Sequence, residues 1–66
     1  MKQIGVTDGK NEVKGTTRAT TERGYIKAAK RLWPYTGLHR VRIVVWDDGQ
    51  GPGYDPRIYE IVIDIN

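Results

Sequence analysis

Four basic side chains share one side of a short helical segment, and no acid lies among them. Arg23, Lys27, Lys30 and Arg31 recur at helical spacing within the stretch ERGYIKAAKRLWP. Exposed helix faces usually mix charges of both signs, because acid–base pairs three or four residues apart stabilise a helix. This group is called the basic stripe below. Its four residues have no acid among them with which to form such pairs. It therefore predicts an anion-binding surface, and nucleic-acid phosphates are the commonest anion of that kind.

The charge of the whole chain is divided unevenly between its two parts. Up to Arg42 the chain has ten lysines and arginines against three acids, and after it one arginine against five acids. An uneven distribution of charge bears on what a protein binds and not on how it folds. Lys14 and Arg18 extend the footprint of the basic stripe if the N-terminal hairpin lies beside the helix. The predicted function is a non-enzymatic nucleic-acid-binding module that contacts phosphates; the alternative partner for the stripe is an acidic protein surface.

A second candidate surface lies on two later segments. Period-two alternation places an apolar group and two flanking arginines on one face of the predicted sheet: Trp46, Val44, Ile58, Arg40 and Arg42. Exposed apolar patches containing tryptophan and arginine are typical of protein interfaces. The loop 47–57, which is long for a hairpin, is a candidate recognition loop.

These features support an alternative function, which is a compact protein-binding inhibitor or adaptor. Phages and mobile elements encode small proteins of that type to block a host complex. A second copy of the chain is another occupant of the same outer sheet face, and would make a homodimer there.

The residue types that catalysis or metal binding would need do not occur at motif spacing. His39 has no nucleophile or paired carboxylate at such spacing. The glycine-rich stretch GQGPG joins two strands and lies among Asp47, Asp48 and Asp55, so it does not fit a phosphate-binding loop. The spacing of those aspartates does not fit a calcium loop either. We therefore expect no enzymatic activity, no cofactor and no metal.

Four strands and one helix must position these residues. The segments KQIGVT and EVKGTTRA are predicted strands joined at an Asp-Gly turn, and LHRVRIVVW and IYEIVIDIN are two further strands. The helix is predicted over 22–33, with Thr20 or Thr21 as its N-cap and Pro34 as its end. Its apolar arc comprises Tyr25, Ile26, Ala28, Ala29, Leu32 and Trp33.

The element order predicts an α+β, two-layer ββαββ fold, with one amphipathic helix packed on a four-stranded sheet. A β-grasp-like strand order, with the first and last strands adjacent and parallel, is favoured. The other arrangement considered joins the two hairpins through the second and third strands. Sixty-six residues form a single domain, 1–66, of modest stability. Without cysteine or a long apolar run, we expect a cytoplasmic protein with no membrane partner.

Overall fold

The structure, a computed structural model, describes all residues 1–66. It consists of β1 (Lys2–Thr7), β2 (Glu12–Thr17), α1 (Glu22–Leu32), β3 (Gly37–Asp47) and β4 (Arg57–Ile65). The single helix packs on one face of a four-stranded antiparallel sheet, which confirms the predicted α+β two-layer ββαββ class. No helix in it has both the length and the apolar character needed to cross a membrane.

The strand order is β2-β1-β3-β4, and every neighbouring pair is antiparallel. The favoured β-grasp-like order was therefore wrong: β1 pairs with β3 and not with β4. The arrangement that joins β2 to β3 is not found either. In the observed order β3 is central, and the side chains of Val41, Ile43 and Val45 on its inner face are buried. β3 has a neighbouring strand on each side and the helix over its inner face, so the central position buries these three side chains most completely.

Polar contacts at both ends of the β1–β3 pair stabilise the placement of β1 beside β3. At one end the Lys2 ammonium donates a hydrogen bond to the Asp47 carboxylate. At the other end His39 Nδ1 lies 3.0 Å from Asp8 Oδ2, just beyond the end of β1. These partners are 45 and 31 residues apart in the sequence. Local periodicity carries no information on such long-range pairs, so the sequence pattern alone did not reveal the strand order.

The hydrophobic core lies between α1 and the inner face of the sheet. It comprises Ile4, Val6, Tyr25, Ala28, Ala29, Trp33, Val41, Ile43, Val45 and Ile63. α1 begins after Thr21, whose hydroxyl accepts a hydrogen bond from the Gly24 N–H at 3.2 Å. It ends at Leu32, one residue earlier than predicted, where the Trp33 N–H donates to the Ala29 carbonyl. The apolar arc of α1 therefore faces the sheet, and the opposite side faces solvent.

The first turn of α1 approaches the preceding connection too closely for any side chain at residue 24. A Cβ added to Gly24 would lie 2.7 Å from the Cβ of Ala19. We expect Gly24→Ala to lower the free energy of unfolding by roughly 1–2 kcal/mol, because this clash outweighs the gain of about 1 kcal/mol in helix propensity. Urea unfolding would measure the change, and Ala19→Gly in the same chain should restore stability. A Gly24→Ala variant more stable than the wild type would contradict the steric explanation.

Candidate functional site

The basic stripe lies on the solvent side of α1, opposite the buried residues Tyr25, Ala28 and Ala29. All four of its side chains are exposed: Arg23, Lys27, Lys30 and Arg31. None of them takes part in any of the salt bridges of the structure. Arg23 and Arg31 each lie four residues from Lys27, and such like-charge pairs destabilise a helix by a few tenths of a kcal/mol. Core packing of α1 therefore sustains a helix whose surface charges repel one another.

The structure does not bring Lys14 together with the basic stripe. Lys14 lies on β2 opposite Gly5 of β1, with its Nζ 3.7 Å from Glu12 Oε1. The next residue, Gly15, faces α1, because a Cβ there would meet the side chain of Leu32. By the alternation of a strand, Lys14 lies on the opposite face of the sheet. Its predicted place in one footprint with the helix is thus corrected, since the sheet separates the two.

Arg18 occupies a different position from Lys14. It follows the end of β2, in the connection that leads to α1, and its side chain is exposed and has no salt bridge. It is therefore available to an anion, and it lies four residues before the first residue of α1 in the sequence.

The outer sheet face carries charges of both signs. Lys14 is paired with Glu12, and Arg42 on β3 lies opposite Glu60 on β4 with its Nη2 3.3 Å from Glu60 Oε1. Opposite charges directly across two strands are mildly stabilising. Four basic side chains without a salt bridge lie together on α1, whereas the charges of the outer face are close to balanced. The helix face is therefore positively charged, and the outer sheet face is nearly neutral.

The structure brings the residues of the predicted protein-interaction face together. Val44 lies directly opposite Ile58, and the ring of Trp46 covers Gly5, where an added Cβ would lie 3.7 Å from the ring. Val44 and Trp46 are half-buried, but Ile58 is 55% exposed and Val62 is 51% exposed. Arg40 and Arg42 alternate with these apolar residues along β3. No other part of the chain covers this face, because the N-terminal segment is strand β1 of the same sheet.

An open groove adjoins this face where β1 ends. It has a volume of about 490 Å³ and is lined by Thr7, Asp8, Gly9, Arg40, Val41, Arg42, Glu60, Ile61 and Val62. β3 continues past the end of β1, from Val41 back to Gly37, while still paired with β4. The groove therefore forms because no strand lies beside β3 on the β1 side between Gly37 and Val41.

The predicted recognition loop is fastened to the sheet at its beginning. Asp47 accepts the hydrogen bond from Lys2, and Asp48 accepts one from the side-chain amide of Gln3 at 2.9 Å. Two successive turns then follow, closed by hydrogen bonds from the Gln50 and Tyr54 N–H groups. The hydrogen bond with Lys2 lowers the pKa of Asp47 and raises that of Lys2. The first part of the loop is thus held by β1, and its tip is exposed.

His39 is more constrained than the sequence indicated. Its Nδ1 lies 3.0 Å from Asp8 Oδ2 and its Nε2 lies 2.9 Å from the Thr36 carbonyl oxygen. Its ring also packs edge-on against Trp33, with centroids 5.4 Å apart. Both ring nitrogens are occupied by these partners, so the residue links the β1–β2 turn to β3. Sequence reasoning missed the role of Asp8, and the Asp-Gly turn was the only available signal for it.

Asp8 makes the stability of the fold depend on pH. Backbone N–H donors of Asn11 and Lys10, at 2.7 and 2.9 Å, hold the pKa of its carboxyl below the ordinary value of 3.8, with a smaller contribution from His39. A lowered pKa in the folded state stabilises the fold above the unfolded-state pKa. That contribution is lost as pH falls through the folded-state pKa.

We therefore expect Asp8→Asn to destabilise the protein at neutral pH, and the difference from the wild type to shrink as pH falls below the ordinary carboxyl pKa of 3.8. Urea unfolding across this pH range would measure both effects. Asp64→Asn is the matched control, because the Asp64 side chain is exposed and makes no hydrogen bond in the structure. Equal acid dependence in the wild type and Asp8→Asn would contradict the assignment.

Comparison with known proteins yields no match: no family matches the chain, and no curated protein or solved structure is significantly similar to it. The functional interpretation therefore depends on the geometry and charge of the two faces.

Proposed function

We propose that the protein is a small non-enzymatic module that binds nucleic acid, with the basic stripe of α1 contacting the phosphate backbone. The observation that carries this proposal is the segregation of charge. The stripe is exposed and unpaired on one helix face, while the salt bridges of the chain lie elsewhere. Neutralisation of phosphates by such side chains releases condensed counterions, which drives binding. The proposed setting is the cytoplasm.

The dimensions of the stripe fit a duplex backbone. From Arg23 to Arg31 it extends about 12 Å along the helix axis, at 1.5 Å per residue. Duplex DNA carries one charge per roughly 1.7 Å of its axis, so about seven phosphate charges lie along this length. Four cations therefore have enough phosphates within their reach. Arg18, at the beginning of the helix, extends the same contact.

The chemistry of the stripe favours sequence-independent binding to a duplex. Contacts of lysine and arginine with phosphate position a protein but carry no sequence information. Binding to single strands relies on exposed aromatic rings that stack on the bases. The aromatic residues next to the stripe, Tyr25 and Trp33, are 3% and 2% exposed and are committed to the core. We therefore propose duplex DNA or RNA as the ligand rather than a single strand.

Fluorescence anisotropy with labelled random-sequence duplex DNA, duplex RNA and single-stranded DNA tests the proposal. If all four stripe residues contact phosphate, the logarithm of the association constant for duplex DNA should fall with the logarithm of salt concentration with a slope near −3.6, at about −0.9 per contact. Duplexes should bind more tightly than the single strand. Absence of duplex binding at low salt would refute the proposal.

A second candidate function is supported by the outer sheet face. Ile58 and Val62 are more than half exposed there, beside Trp46 and Val44, on a face whose charges are close to balanced. This combination suits a protein partner, as in the inhibitor or adaptor hypothesis, with the 47–57 loop at its border. Salt would then mainly affect the association rate. A partner captured by the wild type should be lost with Ile58→Asp and retained with Lys27→Glu; the reverse result would contradict this second candidate.

A further inference from the structure

The outer edge of β4 has no neighbouring strand. β4 pairs with β3 on one side only, so the peptide groups directed to its other side are unpaired from Arg57 to Ile65. Proteins usually protect such edges with lysine, proline, bulges or very short strands. β4 has nine residues, RIYEIVIDI, and contains no lysine, proline or glycine. Its composition is instead that of a strand that pairs readily with another chain.

The other edge of the sheet provides an internal comparison. β2 has six residues, and its outer face carries the charged side chains of Glu12 and Lys14, while Gly15 interrupts its inner face. This edge is shorter and contains a glycine, whereas β4 carries its charged side chains, Glu60 and Asp64 among them, on a nine-residue strand rich in isoleucine. Both edges lack a neighbouring strand, and the longer and more apolar β4 is the one better suited to pair with another chain.

The apolar side chains of β4 are also incompletely covered. On its outer face Ile58 and Val62 are more than half exposed. On its inner face Ile63 is buried, but Tyr59, Ile61 and Ile65 are only half-buried, because the helix does not fully cover this side of the sheet. A strand added beside β4 would bury apolar surface on both faces at once.

We propose that a second copy of this chain pairs along the edge of β4, antiparallel and with Ile61 opposite Ile61 of the second copy, to form a continuous eight-stranded sheet. Such a pair is isologous: the same strand supplies both halves of the contact. This inference does not rest on the proposed nucleic-acid function, since it concerns only the edge and faces of β4.

The charges on β4 disfavour some registers of a strand paired with its own copy. With Ile61 at the centre, Glu60 lies opposite Val62 of the second copy, and Ile58 lies opposite Asp64. A register centred on Glu60 would place the two Glu60 side chains opposite each other, and one centred on Val62 would place Glu60 opposite Asp64. Like charges directly opposite each other are destabilising. The register centred on Ile61 avoids such pairs and also overlaps the whole strand, with Arg57 opposite Ile65 at each end, which supports a second copy as the occupant.

Tyr59 and Ile63 complete the contact on the inner face in this register. Each Tyr59 lies opposite Ile63 of the second copy, and aromatic and β-branched pairs are among the favourable cross-strand combinations. The two-fold axis is perpendicular to the sheet, so the helices of both copies lie on the same face of the eight-stranded sheet. Two basic stripes would then face the same direction.

Two substitutions at one exposed position test the pairing and its register. In the proposed dimer residue 62 of each copy lies opposite Glu60 of the other. Val62→Glu should therefore raise the dimer dissociation constant by about tenfold or more, whereas Val62→Lys should leave it unchanged or lower it. Within one chain residue 62 lies opposite Arg40. The glutamate thus has a favourable neighbour in the monomer, and its effect on association is separable from unfolding.

Sedimentation equilibrium of the full chain without nucleic acid, from micromolar to millimolar concentration, measures this association. Circular dichroism of each variant confirms folding, and Lys14→Glu on β2, at the other edge of the sheet, is the control that should leave the dissociation constant unchanged. A wild type that stays monomeric at millimolar concentration would overturn the proposal and leave the edge to a strand of another protein. Equal effects of Val62→Glu and Val62→Lys would overturn the register and with it the argument for self-pairing.

Discussion

Replacement of Lys27 and Lys30 by glutamate should weaken duplex DNA binding by about 100-fold or more at low salt. Each phosphate contact at about 50 mM salt contributes roughly a factor of ten through counterion release, and the introduced carboxylates repel phosphate in addition. The salt dependence should also fall to about half of its original slope. Anisotropy titrations across a salt series would measure both quantities in one experiment.

The double variant should remain folded. Glutamate at position 27 lies four residues from both Arg23 and Arg31, so it replaces two repulsive pairs with attractive ones. The matched control is Lys14→Glu with Arg40→Glu, which changes the net charge equally but on the outer sheet face. We expect this control to weaken binding by only a few-fold, through the general change of charge. Equal losses in the two double variants would show that net charge, and not the basic stripe, determines affinity.

Trp33→Ala should lower the free energy of unfolding by about 3–5 kcal/mol, as is typical for removal of a large buried aromatic side chain. Trp33 is 2% exposed and packs against Tyr35 at a centroid distance of 4.9 Å and against His39. Its indole N–H has no hydrogen-bond partner, so packing accounts for its contribution. A chain of this length has a total stability of only roughly 3–10 kcal/mol. We therefore expect Trp33→Ala to lose a large share of the total stability, seen as a lower urea midpoint followed by circular dichroism.

Trp46→Ala provides the matched control for this prediction. The same substitution on the outer sheet face removes a half-buried ring that covers Gly5, without opening a cavity in the core. We expect a loss of about 1–2 kcal/mol, measured by urea unfolding. Equal losses at the two tryptophans would contradict the assignment of Trp33 to the core and Trp46 to the surface.

The sequence was sufficient to predict the elements and the faces of those elements. Apolar residues at helical spacing indicated which side of α1 is buried, and alternation in the later strands placed Val44, Trp46 and the two arginines together on one face of β3. Both patterns are local, since each depends on residues within one or two turns or strand repeats. The exposed position of the basic stripe followed from the same periodicity and is confirmed by the structure.

The position of Lys14 relative to α1 could not be predicted from local sequence patterns. The sequence predicted Lys14 on a strand of the N-terminal hairpin, but which face of that strand the helix covers depended on the packing of α1. The close approach of Gly24 to Ala19 has the same origin, because glycine within a helix pattern indicates only a loss of propensity. Both features result from the meeting of two elements.

By itself, the sequence determined the four strands, the helix, their buried faces and the exposed basic stripe, because periodicity and capping act between near neighbours. Only the tertiary structure decided the strand order, the link between Asp8 and His39, and which edges of the sheet lack a neighbour. Those features depend on contacts between segments far apart in the chain. Many pairings satisfy the same local pattern, and the packing of the whole core and the polar contacts at the strand ends select one of them.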